Sequence, residues 1–194
     1  MKKLLVALVA LAAVPALAAD TFQLDGAHSQ ASFTVKHLLI SDVRGEFGKT
    51  EGVVVLDEAD PSRSRVEATI DAATVNTRDE KRDAHLKGAD FFDVAKFPAI
   101  TFKSTKVERA GAGALKVTGD LTIKGVTKPV VLDVTGPTAE IKDPWGNAKR
   151  GVSATTQINR KDFGVSYGPD AVVSDLVKIQ IDAELTKVQP APAK

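Results

Sequence analysis

The chain has 194 residues, no cysteine and a formal net charge of +1. Without Lys2 and Lys3 its 26 basic residues become 24, against 25 acidic ones, a balance that gives no reason to expect nucleic acid or an anionic membrane surface as a partner. Disulfides are excluded, and the ~175 residues of the body are enough to bury one core without them.

The first segment reads as an address. Met1-Lys2-Lys3 is a positive start, Leu4 to Ala13 is an apolar run, Pro15 breaks it, and Ala16-Leu17-Ala18 supplies small residues for cleavage. The run falls short of the ~20 residues that span a bilayer, and no cysteine stands at the cleavage point to carry a lipid. The expected organisation is a signal peptide over 1–18, one exported domain over 19–187 and a disordered Pro/Ala tail over 188–194. The expected location is the periplasm, with secretion as the alternative, and no membrane anchor.

The body alternates apolar and polar residues. Ala31, Phe33, Val35 and His37 share one face of the first clear strand; Val66, Ala68, Ile70 and Ala72 share another. Ile100 and Phe102, then Leu115, Val117, Gly119, Leu121 and Ile123, then Val177, Ile179, Ile181, Ala183 and Leu185 continue the pattern. Period two with one apolar face predicts antiparallel strands with one side wet. Turn signals fall at Gly111-Ala-Gly113, Lys124-Gly125 and Asp143 to Asn147. The expected class is all-β with one short helix, either a sandwich or a closed barrel. The mixture of large and small residues on the apolar face permits a cavity.

The exception is the stretch NTRDEKRDAHLKGADFFDVAKFPAITF, from Asn76 to Phe102. Thr77 with Glu80 resembles a capping box, Gly88 stands where a left-handed C-terminal residue is wanted, and Asp83 with Lys87 has ion-pair spacing, which predicts a helix over 78–87. Only Ala84 and Leu86 are apolar in it, so it needs outside support. Phe91, Phe92, Val94 and Phe97 read as a plug that pins it across one end of the barrel. Arg78, Arg82 and His85 fall at i, i+4 and i+7 on one helical face, which reads either as a solvated charge run or as a basic lip over the mouth of a cavity.

Four blocks carry a family resemblance: LDGAHSQASFTVKHLLISDVRGEF, TRDEKRDAHLKGADFFDVAKFPAITFKST, VTGDLTIKGVTKPVVLDV and INRKDFGV. Through them the chain resembles the YceI-like family of polyisoprenoid-binding exported proteins, from about Phe22 to Leu185. The resemblance implies a lipocalin-like extended antiparallel β-barrel of about eight strands, with a helix near its opening. It implies an interior that takes an isoprenoid or another amphiphilic lipid (a polyprenyl phosphate, a quinone, a fatty amide), and a carrier or buffer rather than an enzyme. Strand parity then sets Phe33, Val35, Ile70, Phe102, Leu121, Ile123, Ile179 and Ile181 against the lipid. Arg78, Arg82 and His85, with Phe91 and Phe92, become head-group contacts and lid.

Two rival readings remain open. One is a periplasmic enzyme acting on a lipid through His85 with Asp83 or Asp90, although Asp83 and His85 are two apart on a helix and diverge. The other is a filled barrel with no ligand. No metal is expected, since His28, His37 and His85 lack ligand spacing; His37, on the apolar series, reads as a core histidine. No cofactor is expected. The oligomeric state stays open, with a homodimer among the alternatives. The block INRKDFGV reads either as a structural turn or as a closure of the barrel end by Phe163, with Arg160 paired to a carboxylate there.

Overall fold

The computed structural model describes residues 19–48 and 50–189. The export signal expected over 1–18 lies outside the described residues, as does the tail from residue 190. Val188 donates its N–H to Thr21 O at 2.8 Å, so the final strand stays attached one residue past its end.

Twelve strands and one helix are described. The strands are β1 (Asp20–Leu24), β2 (Gln30–His37), β3 (Ser41–Phe47), β4 (Thr50–Leu56), β5 (Arg65–Asp71), β6 (Val75–Asn76), β7 (Ala99–Gly111), β8 (Ala114–Ile123), β9 (Val126–Thr135), β10 (Ile141–Lys142), β11 (Ala148–Asn159) and β12 (Leu176–Lys187). The helix α1 spans Glu80–Lys87. Every alternating run named above falls within or at the edge of a strand, and each turn signal lies between two strands.

These strands make eight staves. β1 and β2 follow one another along one edge of β12, pairing Phe22–Leu24 with Leu185–Lys187 and Gln30–Thr34 with Lys178–Asp182. β4 pairs with β1 and β3 with β2, so they form the next stave; β5 and β6 form the one after. β7, β8 and β9 follow as a meander, and β11 returns to β12 over eleven residue pairs. The result is a closed eight-stranded antiparallel barrel. Closure pairs the staves all the way round, with the β9–β11 contact the short one.

The weak seam is β9–β11, where only Thr135, Val134 and Asp133 pair with Ser153 to Thr155. Pro129 explains part of it: it pairs with Asp120 of β8 but has no N–H, and β9 has no register partner on its other side there. The Thr156 hydroxyl donates to Val131 O at 2.8 Å and extends the contact.

The interior packs in two groups. Phe22, Leu56 and Leu185 fill one end, with the Arg150 guanidinium 5.9 Å from the Phe22 ring centre. Phe47, Val75, Phe91, Ile123, Phe163 and Val165 pack at the other, the helix end. Beside the first group Lys149 Nζ sits between Asp25 Oδ2 (2.8 Å) and Glu184 Oε1 (2.6 Å), and His28 Nδ1 lies 3.1 Å from the same Asp25 oxygen. The lysine ammonium already supplies the cation among these carboxylates.

Candidate functional site: an apolar cavity along the barrel axis

Inward residues of all eight staves surround one cavity of about 510 Å³. It runs from Leu56, Ser64, Leu115 and Pro137 at one end to His37, His85, Tyr167 and Val173 at the other. Phe33, Val35, Ile70, Phe102, Leu121, Ile123, Ile179 and Ile181 all line it. Strand parity brings these eight together because no register shift falls between them; the shifts in β7–β8 come later, past Ser104.

Two lining phenylalanines lie back against the wall over glycines. A Cβ added at Gly45 would overlap the Phe33 ring and approach Thr77 Cγ2 at 2.8 Å. One added at Gly119 would overlap the Phe102 ring and come within 2.6 Å of Lys103 O. The missing side chains let both rings fold flat and keep the lumen open. Phe33 continues into an aromatic chain, 5.7 Å from Phe47, which is 5.7 Å from Phe92.

The exposed lining residues, His37, Arg82, His85 and Tyr167, all stand at the helix end, so the mouth is there. His37 is therefore a rim residue and not a core histidine. It ends β2 and bridges Val173 of the following loop. Arg160 is buried and shapes that loop. Its guanidinium donates to the carbonyls of Ser174, Val165, Tyr167, Gly168 and Val173 and reaches Asp175 Oδ1 at 3.1 Å. Phe163, 2 % exposed, fills the barrel end beneath it.

The charged stretch differs from the sequence expectation in several ways. The cap of α1 is Asp79, whose carboxylate accepts from Arg82 N at 2.9 Å. Thr77 is not a cap: Asp83 Oδ1 accepts from Thr77 N (2.8 Å) and from its hydroxyl (2.5 Å). Asp83 thus turns toward Thr77 rather than Lys87. Gly88 is extended at φ −73°, and the left-handed residue after the helix is Asp93, at φ 50°. Arg78 lies before the helix, exposed, at φ 64°, and does not line the cavity. The basic lip of three is therefore reduced to Arg82 and His85.

Both remaining groups are engaged. Arg82 Nε donates to Thr77 Oγ1 at 2.7 Å and Nη2 to Thr77 O at 2.8 Å. His85 Nε2 lies 2.9 Å from Asp90 Oδ2, and its ring meets Phe91 and Tyr167 edge-on, each at 5.0 Å. Phe91 and Phe92 both line the cavity. Phe97 does not; it lies over Gly125 in the β8–β9 turn. Lys124 Nζ bonds Ala89 O at 2.8 Å and Gly164 O at 3.3 Å, tying this turn to the segment after the helix.

Sequence reasoning passed over several lining residues. Val130, Leu132 and Val134 of β9 and Ala154, Thr156 and Ile158 of β11 alternate visibly and were open to the same parity argument. Tyr167 and Thr50 carry no periodic signal. Thr50 is buried, lines the cavity, and its hydroxyl has no partner among the described residues.

The fold and site define a closed β-barrel built around an apolar cavity with its mouth beneath a polar helix. More particularly, the chain belongs to the YceI-like family: the model of the YceI-like domain matches residues 22–185. A UPF0312 protein of Ectopseudomonas mendocina (strain ymp) is 39% identical over 183 residues, covering 91% of this chain and 95% of the relative. The crystal structure of Burkholderia cenocepacia BcnA aligns with a TM-score of 0.74 and 29% identity over 83% of this chain and 98% of that one. A polyisoprenoid binding domain from Saccharophagus degradans, implicated in plant cell wall breakdown, aligns with a TM-score of 0.65 over 86% and 98%; at 18% identity it shows a shared fold alone. Among the described residues no helix is long and apolar enough to cross a membrane.

Proposed function

We propose that the protein is an exported carrier or buffer that holds an isoprenoid or similar long amphiphile, tail in the barrel and head at the helix-end mouth. The carrying observation is the cavity of about 510 Å³, apolar along its length, with its exposed lining at one end only. Its size falls in the ~300–1,000 Å³ range of ligand sites. Each CH₂ taken from water into it contributes about 0.8 kcal/mol. The family supports the ligand class, and the polyisoprenoid binding domain of S. degradans has the same barrel fold.

We read the site as one of binding without turnover. The His85–Asp90 pair is the arrangement a general base needs, but no described hydroxyl bonds His85 and the chain has no cysteine. His85 instead packs between two rings at the rim. Turnover of a prenyl ester by the wild type and not by His85→Ala would replace this reading with an enzymatic one. The direct test is native mass spectrometry with lipid extraction on protein purified from its own host, alongside Ile181→Lys. A folded Ile181→Lys variant that still carried lipid would show that the cavity is not the site.

A further inference from the structure

We infer that the mouth end of the barrel docks on an anionic phospholipid bilayer through the β2–β3 turn, Leu38-Leu39-Ile40, so that ligand passes directly between bilayer and cavity. The inference rests on the lipid-binding reading above. The turn presents its side chains to solvent at 50%, 61% and 82% exposure. Leu38 and Leu39 also adopt φ 50° and 61°, left-handed positions that ordinarily go to Gly or Asn. Leucines are thus held where neither backbone preference nor solvent favours them, and no interior packing accounts for them.

The turn is not isolated. Leu38 N donates to Val172 O at 3.0 Å, which fixes it beside a second loop that exposes Tyr167 and Val172. His37, one residue before the turn, and Tyr167 both line the mouth. An apolar rim therefore borders the opening through which a lipid must pass.

Charge selects the occupant. On the outer face behind the turn, Lys36 and Arg44 flank Asp42, and Lys178 adds a third cation close enough to act on that carboxylate. The strip behind the turn therefore carries three cations against one carboxylate, although the chain as a whole is near neutral. An apolar tip backed by cations fits the boundary of an anionic bilayer. A second copy of the chain would need an interface of ~1,600 Å², far more than one three-residue turn presents.

The test uses flotation with phosphatidylglycerol-containing vesicles and with phosphatidylcholine vesicles, comparing wild type with Leu39→Asp/Ile40→Asp. Neither residue lines the cavity. The wild type is expected to float with the anionic vesicles, less so as salt rises, and the variant at least tenfold less. The sole tryptophan, Trp145, is 84% exposed in the β10–β11 turn at the opposite end, so its emission should not change on vesicle addition. Uptake of a fluorescent prenol from vesicles should slow in the variant, while its affinity for prenol presented on cyclodextrin stays at the wild-type value. Equal flotation of both proteins, no flotation of the wild type, a shift of Trp145 emission, or a solution dimer that the variant dissociates would each overturn the proposal. Cyclodextrin uptake separately decides the cavity reading, since it needs no membrane.

Discussion

Arg82 is locked onto Thr77. Two of its donors close on one residue, the hydroxyl at 2.7 Å and the carbonyl at 2.8 Å, while Asp83 holds the same threonine from the other side. Thr77 is buried, so this clamp fixes where the helix crosses the mouth, in the absence of any buried residue on the helix itself.

Arg82→Ala should therefore weaken prenyl phosphate and prenyl alcohol by similar factors, and lower stability by about 1 kcal/mol for the lost hydrogen bonds. Arg78→Ala should leave both affinities unchanged. Isothermal titration of both ligands against both variants checks this. A loss confined to the phosphate would place the Arg82 guanidinium on the head group.

Arg160 offers a sharper contrast. Five carbonyls and a carboxylate surround its fork, and it is 5 % exposed. An ammonium keeps the charge but cannot reach so many acceptors from one plane. Arg160→Lys should cost about 3–5 kcal/mol, the range for breaking a buried charged network. Urea unfolding reads it directly, and a loss under 1 kcal/mol would mean the loop holds its shape without the fork.

The opposite end of the barrel should respond to acid. Lys149 foremost, then His28, holds the Asp25 carboxyl well below the usual carboxylate range. Asp25 and Glu184 hold the Lys149 ammonium above the usual lysine range. In acid the unfolded chain binds a proton at Asp25 that the folded chain refuses. Stability from Asp25 is thus complete above about pH 5 and lost as pH falls, with a slope of up to about 1.4 kcal/mol per pH unit. For Lys149 the sign reverses: its contribution is complete below the ordinary lysine pKa and lost as pH rises above it. Lys149→Met should flatten the stability curve between about pH 2 and 4. Parallel acid limbs for the two proteins, by urea unfolding at stepped pH, would show that Lys149 does not control Asp25.

Thr50 should reward the loss of its hydroxyl. The group is buried against an apolar lumen without a partner among the described residues, and valine has nearly the same shape. Thr50→Val should raise the stability of delipidated protein by about 1 kcal/mol. A lower melting temperature would reveal a hydrogen bond at this position.

Strand faces were legible because the side-chain period of a strand is local: Phe33 and Ile179 face the lumen for reasons contained in their own neighbours. Closure was less legible, since the pairing of β11 with β12 and the short β9–β11 seam depend on residues far apart in sequence. The helix start was misplaced because Thr77 and Asp79 both suit a cap, and the left-handed turn at Arg78 lets Asp79 take it. That same turn removes Arg78 from the helical face. His37 faces inward by the parity of β2 and stands at the rim because the strand ends there, whereas Tyr167 reaches the rim through a loop shaped by Arg160, a tertiary effect that no pattern in its segment displays.

The phenylalanine–glycine pairs separate the calibre of the barrel from its hoops. At Gly119 an added methyl meets backbone as well as ring, and the ladder itself must give. At Gly45 the nearest obstacles are side chains, those of Phe33 and Thr77. A single alanine at position 45 would swing one ring inward and narrow the bore while every strand keeps its partner. One methyl group at this hoop thus presses on the bore through Phe33 and on the Arg82–Thr77 clamp that seats the helix, so guest thickness and helix position are set together.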